Sequence, residues 1–176
     1  MRLGLILASI LLSGCAVAAP ESESTQPDPV TESGNVKIEW QAPQKYRDVR
    51  SASESTEKFR LRVFKTLTES LAKDASKLLK ENEKLELVVT DVDLAGDLRP
   101  TFGATASDLR IVKSIYPPRI TFSYRVLDGE DVIMVGSENL RDPGFLDRSY
   151  LNDQDSFRFE KDMLKRWLRD TVAPKA

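Results

Sequence analysis

The chain has 176 residues, with 26 Lys and Arg against 28 Asp and Glu, a net charge of −2, one cysteine and no histidine. That balance offers no basic excess for holding nucleic acid, and a single thiol cannot form an internal disulfide. The lack of imidazole excludes Ser-His-Asp and Cys-His nucleophile systems and histidine-bound zinc, copper or haem. Any catalysis would rest on carboxylates, Lys, Tyr, Ser or Arg, and neither a cofactor nor a metal is expected.

The chain opens with one basic residue, Arg2, followed by the apolar run Leu3 to Leu12 and then small residues. This is the layout of a signal peptide over residues 1–14, and the run is too short to span a bilayer. It ends in Leu12-Ser13-Gly14-Cys15, which resembles the lipobox of bacterial lipoproteins. Small Ser13 and Gly14 let a peptidase reach the backbone, and the Cys15 thiol can take a diacylglyceryl group. Two or more acyl chains hold a protein stably on a membrane. Ala16, rather than Asp, follows Cys15; in enterobacterial lipoproteins an Asp there marks inner-membrane retention, so the resemblance points to the outer membrane, facing the periplasm. A rival cleavage site, Ala16-Val17-Ala18, would instead release a soluble periplasmic protein. Residues 20–35 are polar and proline-bearing, so 15–35 reads as the anchor site and a flexible tether.

A single α+β domain is expected over 36–172, followed by a short tail at 173–176. Val36 to Trp40 alternates apolar and polar, as a half-buried strand does. Ser51, Ser53 and Ser55 offer helix caps, with Glu54 and Glu57 placed for the first turn. Phe59, Val63, Leu67, Leu71, Ala75 and Leu78 recur at helical spacing, predicting a long helix from Thr56 to Asn82. Leu85 to Val92 reads as a strand, 97–108 as a long loop, and Leu109 to Val112 as a short edge segment. Arg119 to Leu127 alternates, Asp128-Gly129 signals a hairpin turn, and Asp131 to Leu140 returns. Asp142 to Ser156 is loop-like, with Phe145 and Leu146 as plugs. Asp155 or Ser156 would cap a last helix whose buried stripe is Met163, Leu164, Trp167 and Leu168. The order β-α-β-(β)-β-β-α predicts a three- to five-stranded, mostly antiparallel sheet with the long helix and the C-terminal helix packed on it.

Candidate chemistry is sparse. Asp91-Val92-Asp93-Leu94-Ala95-Gly96-Asp97 has the look of a calcium loop, but the EF-hand positions five and twelve are Ala95 and Phe102; a strand end with a glycine turn explains the same residues. Two Ser-x-x-Lys matches, Ser55 to Lys58 and Ser70 to Lys73, lie on the polar side of the helix, where a lysine stays solvated and unreactive. Trp40, Tyr46, Arg47, Arg50, Tyr116 and Arg119 could line a partner surface, although core and loop packing accounts for them more simply. Asp91 and Arg119 could also pair across neighbouring strands.

Several strings stand out in order: Thr90 to Asp97; Arg110-Ile111-Val112 with Ile115-Tyr116-Pro117-Pro118-Arg119-Ile120; Asp142 with Gly144-Phe145-Leu146; and Phe157-Arg158-Phe159-Glu160-Lys161. Together, across Val36 to Leu168, they resemble domain of unknown function 3016, a family of exported bacterial proteins. The resemblance implies export and carries no activity, cofactor or catalytic residue. The reading that results is an envelope lipoprotein anchored through Cys15, serving an envelope protein or complex as a non-enzymatic binding module. The alternative is a soluble periplasmic carboxylate enzyme or metal-binding protein built on Asp91, Asp93 and Asp97 beside Tyr116 and Arg119. Oligomeric state is left open.

Overall fold

The computed structural model describes residues 27–51, 53–99, 109–148 and 155–173. Its main sheet has five strands in the order β1-β2-β3-β6-β7, with β1 Val30–Ser33, β2 Val36–Trp40, β3 Glu83–Asp93, β6 Arg119–Asp128 and β7 Asp131–Arg141. Helix α1, Thr56–Ala75, connects β2 to β3, which lie parallel, as a helical crossover requires. The other neighbours in this sheet are antiparallel. A separate ribbon pairs β4, Asp97–Arg99, with β5, Leu109–Ile111, and α2 spans Arg158–Trp167. The fold is thus α+β with a mostly antiparallel sheet and two helices.

One sheet face is apolar and covered by the helices. Val36, Ile38 and Trp40 of β2, Leu85, Leu87, Val89 and Val92 of β3, and Ile120, Phe122, Tyr124 and Val126 of β6 are all buried. They meet Phe59, Val63, Phe64, Leu67 and Leu71 of α1 and Met163, Leu164 and Trp167 of α2 in one core. Trp40 stacks on Phe64 at 4.1 Å, and Trp167 meets Phe122 and Tyr124 edge-on. A bulge between Val89 and Asp91 adds one residue to β3. It turns both Val89 and Val92 inward and sends Asp91 and Asp93 to the opposite face. Among the described residues, no helix is long and apolar enough to cross a membrane.

Several expectations are corrected. The sheet begins at Val30, inside the stretch read as tether. Thr31 Oγ1 accepts the Trp40 indole N–H at 2.8 Å and lies 2.6 Å from Thr68 Oγ1, so a polar strand is fastened to core residues. The entering chain meets the end of β2: the Pro29 carbonyl accepts the Trp40 N–H at 2.9 Å, and Asp28 accepts the Ala42 N–H at 2.8 Å. Pro27, Asp28 and Pro29 lie there beside Glu57, Arg60, Leu61 and Phe64 of α1.

Helix α1 stops at Ala75 rather than Asn82. Ser76 ends it, its hydroxyl donating to the Lys73 carbonyl at 3.0 Å, and the Glu83 carboxylate holds the following turn through the Lys80 N–H at 2.9 Å. Leu78 and Leu79 still pack on the core from this turn. The expected N-cap of α1 is Ser55, accepting from the Lys58 N–H at 3.4 Å. Neither Asp155 nor Ser156 caps α2; the cap residue is Phe157, in a left-handed conformation (φ 58) with no side-chain cap. Within the expected 97–108 loop, Asp97–Arg99 is a strand, and residues 100–108 lie outside the described residues. Of the two expected plugs, Phe145 is fully buried against Ala95 and Phe159, while Leu146 is 43 % exposed.

Candidate functional site

The five residues predicted as a cluster fall into two groups. Asp91 and Asp93, on the helix-free face of β3, both meet Arg47. Asp91 accepts the Arg47 backbone N–H at 3.0 Å, and the guanidinium stands 3.7 Å from Asp91 and 3.8 Å from Asp93. Burial pushes the Asp93 carboxyl up, while Arg47 pulls it down. Arg119 stands opposite Asp93 in the sheet and Asp91 opposite Thr121, so the expected Asp91–Arg119 pairing across neighbouring strands is corrected: the two are out of register. Asp97 and Tyr116 form the second group around Arg99, which donates to Asp97 at 2.8 Å and to the Tyr116 hydroxyl. Among the described residues, no three or more carboxylate or thiol side chains gather to hold a metal ion. Trp40 and Tyr46 are core residues, the Tyr46 hydroxyl donating to the Val89 carbonyl at 2.8 Å. Cys15 lies outside the described residues.

A different place has the shape of a site. Between Arg50, Ser51 and Ser53, the first turns of α1, the β4–β5 ribbon and the start of α2 lies a cleft of about 430 Å³, within the size range of small-ligand sites. Four arginines, Arg50, Arg62, Arg110 and Arg158, line it together with Phe59, Leu94, Leu98, Val112, Phe157 and Phe159.

Each wall has a local cause. Asp48, buried, bridges in parallel to Asp93 and receives the Arg110 guanidinium at 2.9 Å and that of Arg50 at 3.6 Å. Arg110 also donates to the Arg50 carbonyl at 3.0 Å, which pins the ribbon to the segment before α1. Gly96 makes the turn between β3 and β4 with φ +89. A Cβ there would stand 2.8 Å from the Ile111 carbonyl oxygen, so only glycine lets the ribbon close this tightly. Arg62 is held by Glu54 and lies over the rings of Phe59 and Phe157, at 5.1 and 5.4 Å. Arg158 lies 4.6 Å over Phe159.

Glu160, on the first turn of α2, is 2 % exposed and accepts the Ala95 N–H at 2.7 Å, tying the helix to the β3–β4 turn. Burial pushes its carboxyl above the ordinary value, against pulls from the Ala95 and Glu160 N–H groups and from Arg110. Behind the cleft, Asp142 takes guanidinium groups from Arg148 and Arg166, and Asp162 lies 3.3 and 3.0 Å from the same two arginines. This network fixes α2 to the end of β7.

A family model described as a protein of unknown function, DUF3016, matches residues 34–170. The chain belongs to that family. The DUF3016 match runs from the start of β2 to the last turn after α2, so it takes in every wall of the cleft. Searches of curated proteins and of solved structures return no match.

Sequence reasoning picked out Arg50 and missed Arg62, Arg110, Arg158 and Glu160 as members of one site. A signal for Glu160 does exist. The buried positions of α2 include Phe159, Glu160, Met163, Leu164 and Trp167, so a carboxylate occupies a place in the apolar stripe. A charge in such a place must find a buried partner or shift its pKa.

Proposed function

We propose that this DUF3016 protein is a non-enzymatic binding module of the bacterial envelope, lipid-anchored at Cys15, which receives its ligand in the arginine and phenylalanine cleft. The observation that carries the reading is the chemistry of the cleft wall. Four guanidiniums dominate its polar lining, and they stay protonated in water and serve poorly as general acids or bases; the other polar groups are serine hydroxyls and Asp155, which is paired with Lys161. The one wall carboxyl with a raised pKa, Glu160, is closed off from solvent and occupied by the Ala95 N–H. Such a wall recognises and orients; it is badly equipped to move protons. The anchor rests on the Leu12-Ser13-Gly14-Cys15 pattern and supports an envelope address.

Two measurements test the two halves of this reading. Intact mass of the protein taken from membranes should begin at Cys15 with acyl chains added, and Cys15→Ser should abolish the addition; a mature form beginning at Ala19 would remove the anchor. Native mass spectrometry of the mildly extracted protein should show a bound species that disappears when the cleft is filled by Leu98→Trp. A species unaffected by that substitution would place binding elsewhere.

A further inference from the structure

We infer that the cleft takes an amphiphilic organic anion, a carboxylate or phosphate head on a short apolar body. The inference rests on the binding reading above and adds the chemical class of the ligand. The charges come first. The lining carries four guanidiniums against two carboxyls, Asp155 and the buried Glu160, which is engaged by the Ala95 N–H, and Asp48 is shared between Arg50 and Arg110, so positive charge is in excess at the wall. Asp155, the exposed carboxylate on the rim, is taken by Lys161 at 2.6 Å. An anion can therefore enter without displacing an acidic side chain from the opening.

Geometry comes second. The Arg62 and Arg158 guanidiniums lie over aromatic rings, and Arg110 is fixed by Asp48 and a backbone carbonyl. Arg110 spends one N–H of each terminal nitrogen on Asp48 and the Arg50 carbonyl, and Arg62 spends Nε and one terminal N–H on Glu54, so both guanidiniums are fixed in place while keeping further N–H donors for the oxygens of a carboxylate or phosphate. Arg50 and Arg62 line the cleft with side chains 59 % and 48 % exposed, so a ligand can reach both from solvent.

The third observation is the apolar wall. Val112, 41 % exposed, and half-buried Leu98 stand on the ribbon side, with Phe59 at the base. A small inorganic anion would leave this wall wet. A cationic or neutral amphiphile would leave the guanidinium surplus unmatched. An anion with an apolar body satisfies both.

The test uses the acylated protein in phosphatidylcholine nanodiscs, with empty discs as the blank. Calorimetric titrations with octanoate and octyl phosphate should saturate, and those with octanol and octyltrimethylammonium should not. Arg50→Gln and Arg62→Gln should each weaken octanoate binding by about tenfold, the size of one charge-assisted hydrogen bond. Unchanged melting temperatures would show that folding is intact. Val112→Asp, which turns the apolar wall acidic, should weaken both anions. Equal binding of octanol or of the ammonium would overturn the inference, as would undiminished binding by the double Arg50→Gln, Arg62→Gln variant. So would association with phosphatidylglycerol vesicles alongside silence towards both free anions. If both anions fail while native mass spectrometry still shows a species lost on Leu98→Trp, the ligand class falls and the binding reading stands. Loss of that species as well would remove both.

Discussion

Along α1, Val63, Phe64, Leu67, Leu71 and Ala75 are sealed in the core, whereas Arg62, beside them on the second turn, looks into a cleft lined with charge. The sealed stretch is held by apolar burial, which is non-directional and proportional to area. The cleft is held by directional contacts: Asp48 to Arg110, Glu160 to the Ala95 N–H, and Glu54 to Arg62. Stability and site shape therefore have separable origins in one helix, and substitutions should sort accordingly.

The largest effect is expected in the sealed region. Trp40→Ala removes a ring stacked on Phe64 and the donor to Thr31, and should cost about 4 kcal/mol, read from urea unfolding. A loss under about 1 kcal/mol would show that β1 and β2 are not fastened to the core as described. Next comes the hinge between the two regions. Asp48→Ala takes away the carboxylate that holds Arg110, and loss of this part-buried charge-assisted contact should cost about 2 kcal/mol. Hydrogen exchange should then rise in the β4–β5 ribbon before it rises in β3; uniform exchange would mean that the ribbon does not depend on this contact.

A smaller effect separates the regions by pH. The Glu160 carboxyl is raised by burial, so the folded state holds its proton more tightly than the unfolded chain. Below the ordinary carboxylate range the group is protonated in both states and carries no penalty. As pH climbs from that range towards the raised value, stability is lost, and above it the loss is complete. Glu160→Gln does not titrate and can still accept the Ala95 N–H. Its melting temperature should therefore gain on the parent protein as pH rises through this window; parallel curves would contradict the burial penalty. The smallest expected change in stability is for Arg62→Gln. Its ion pair is half-exposed, and unfolding should shift by no more than about 0.5 kcal/mol, even though ligand binding falls steeply.

Periodicity served well where packing is local and repetitive. The stripe of α1, the alternation of β6 and the Asp128-Gly129 turn are each written within a few residues. β1 was hidden because Val-Thr-Glu-Ser carries a single apolar residue, and what holds it is reached through the fold: the Trp40 indole and the Thr68 hydroxyl. The end of α1 was overrun because Leu78 and Leu79 stay apolar after the backbone has left the helix. The cleft was hidden for a related reason. Its arginines come from positions 50, 62, 110 and 158, and no spacing rule links them. The Asp91, Asp93 and Asp97 string drew the eye because it is compact in sequence. The bulge after Val89 and the turn at Gly96 then divide those carboxylates between Arg47 and Arg99.

The place where the chain joins the fold bears on how an anchored molecule would work. Asp28 and Pro29 dock beside the first turns of α1, the same turns that carry Phe59 and Arg62 to the cleft. Fully stretched, the chain from Cys15 to Asp28 reaches at most about 45 Å, close to the thickness of one bilayer with its headgroups. Acylated at Cys15, the protein would be leashed by its binding end, with the cleft confined to a thin shell of solvent over the lipid surface. Such confinement raises the effective concentration of anything leaving that surface, so a cleft of modest intrinsic affinity would still be filled.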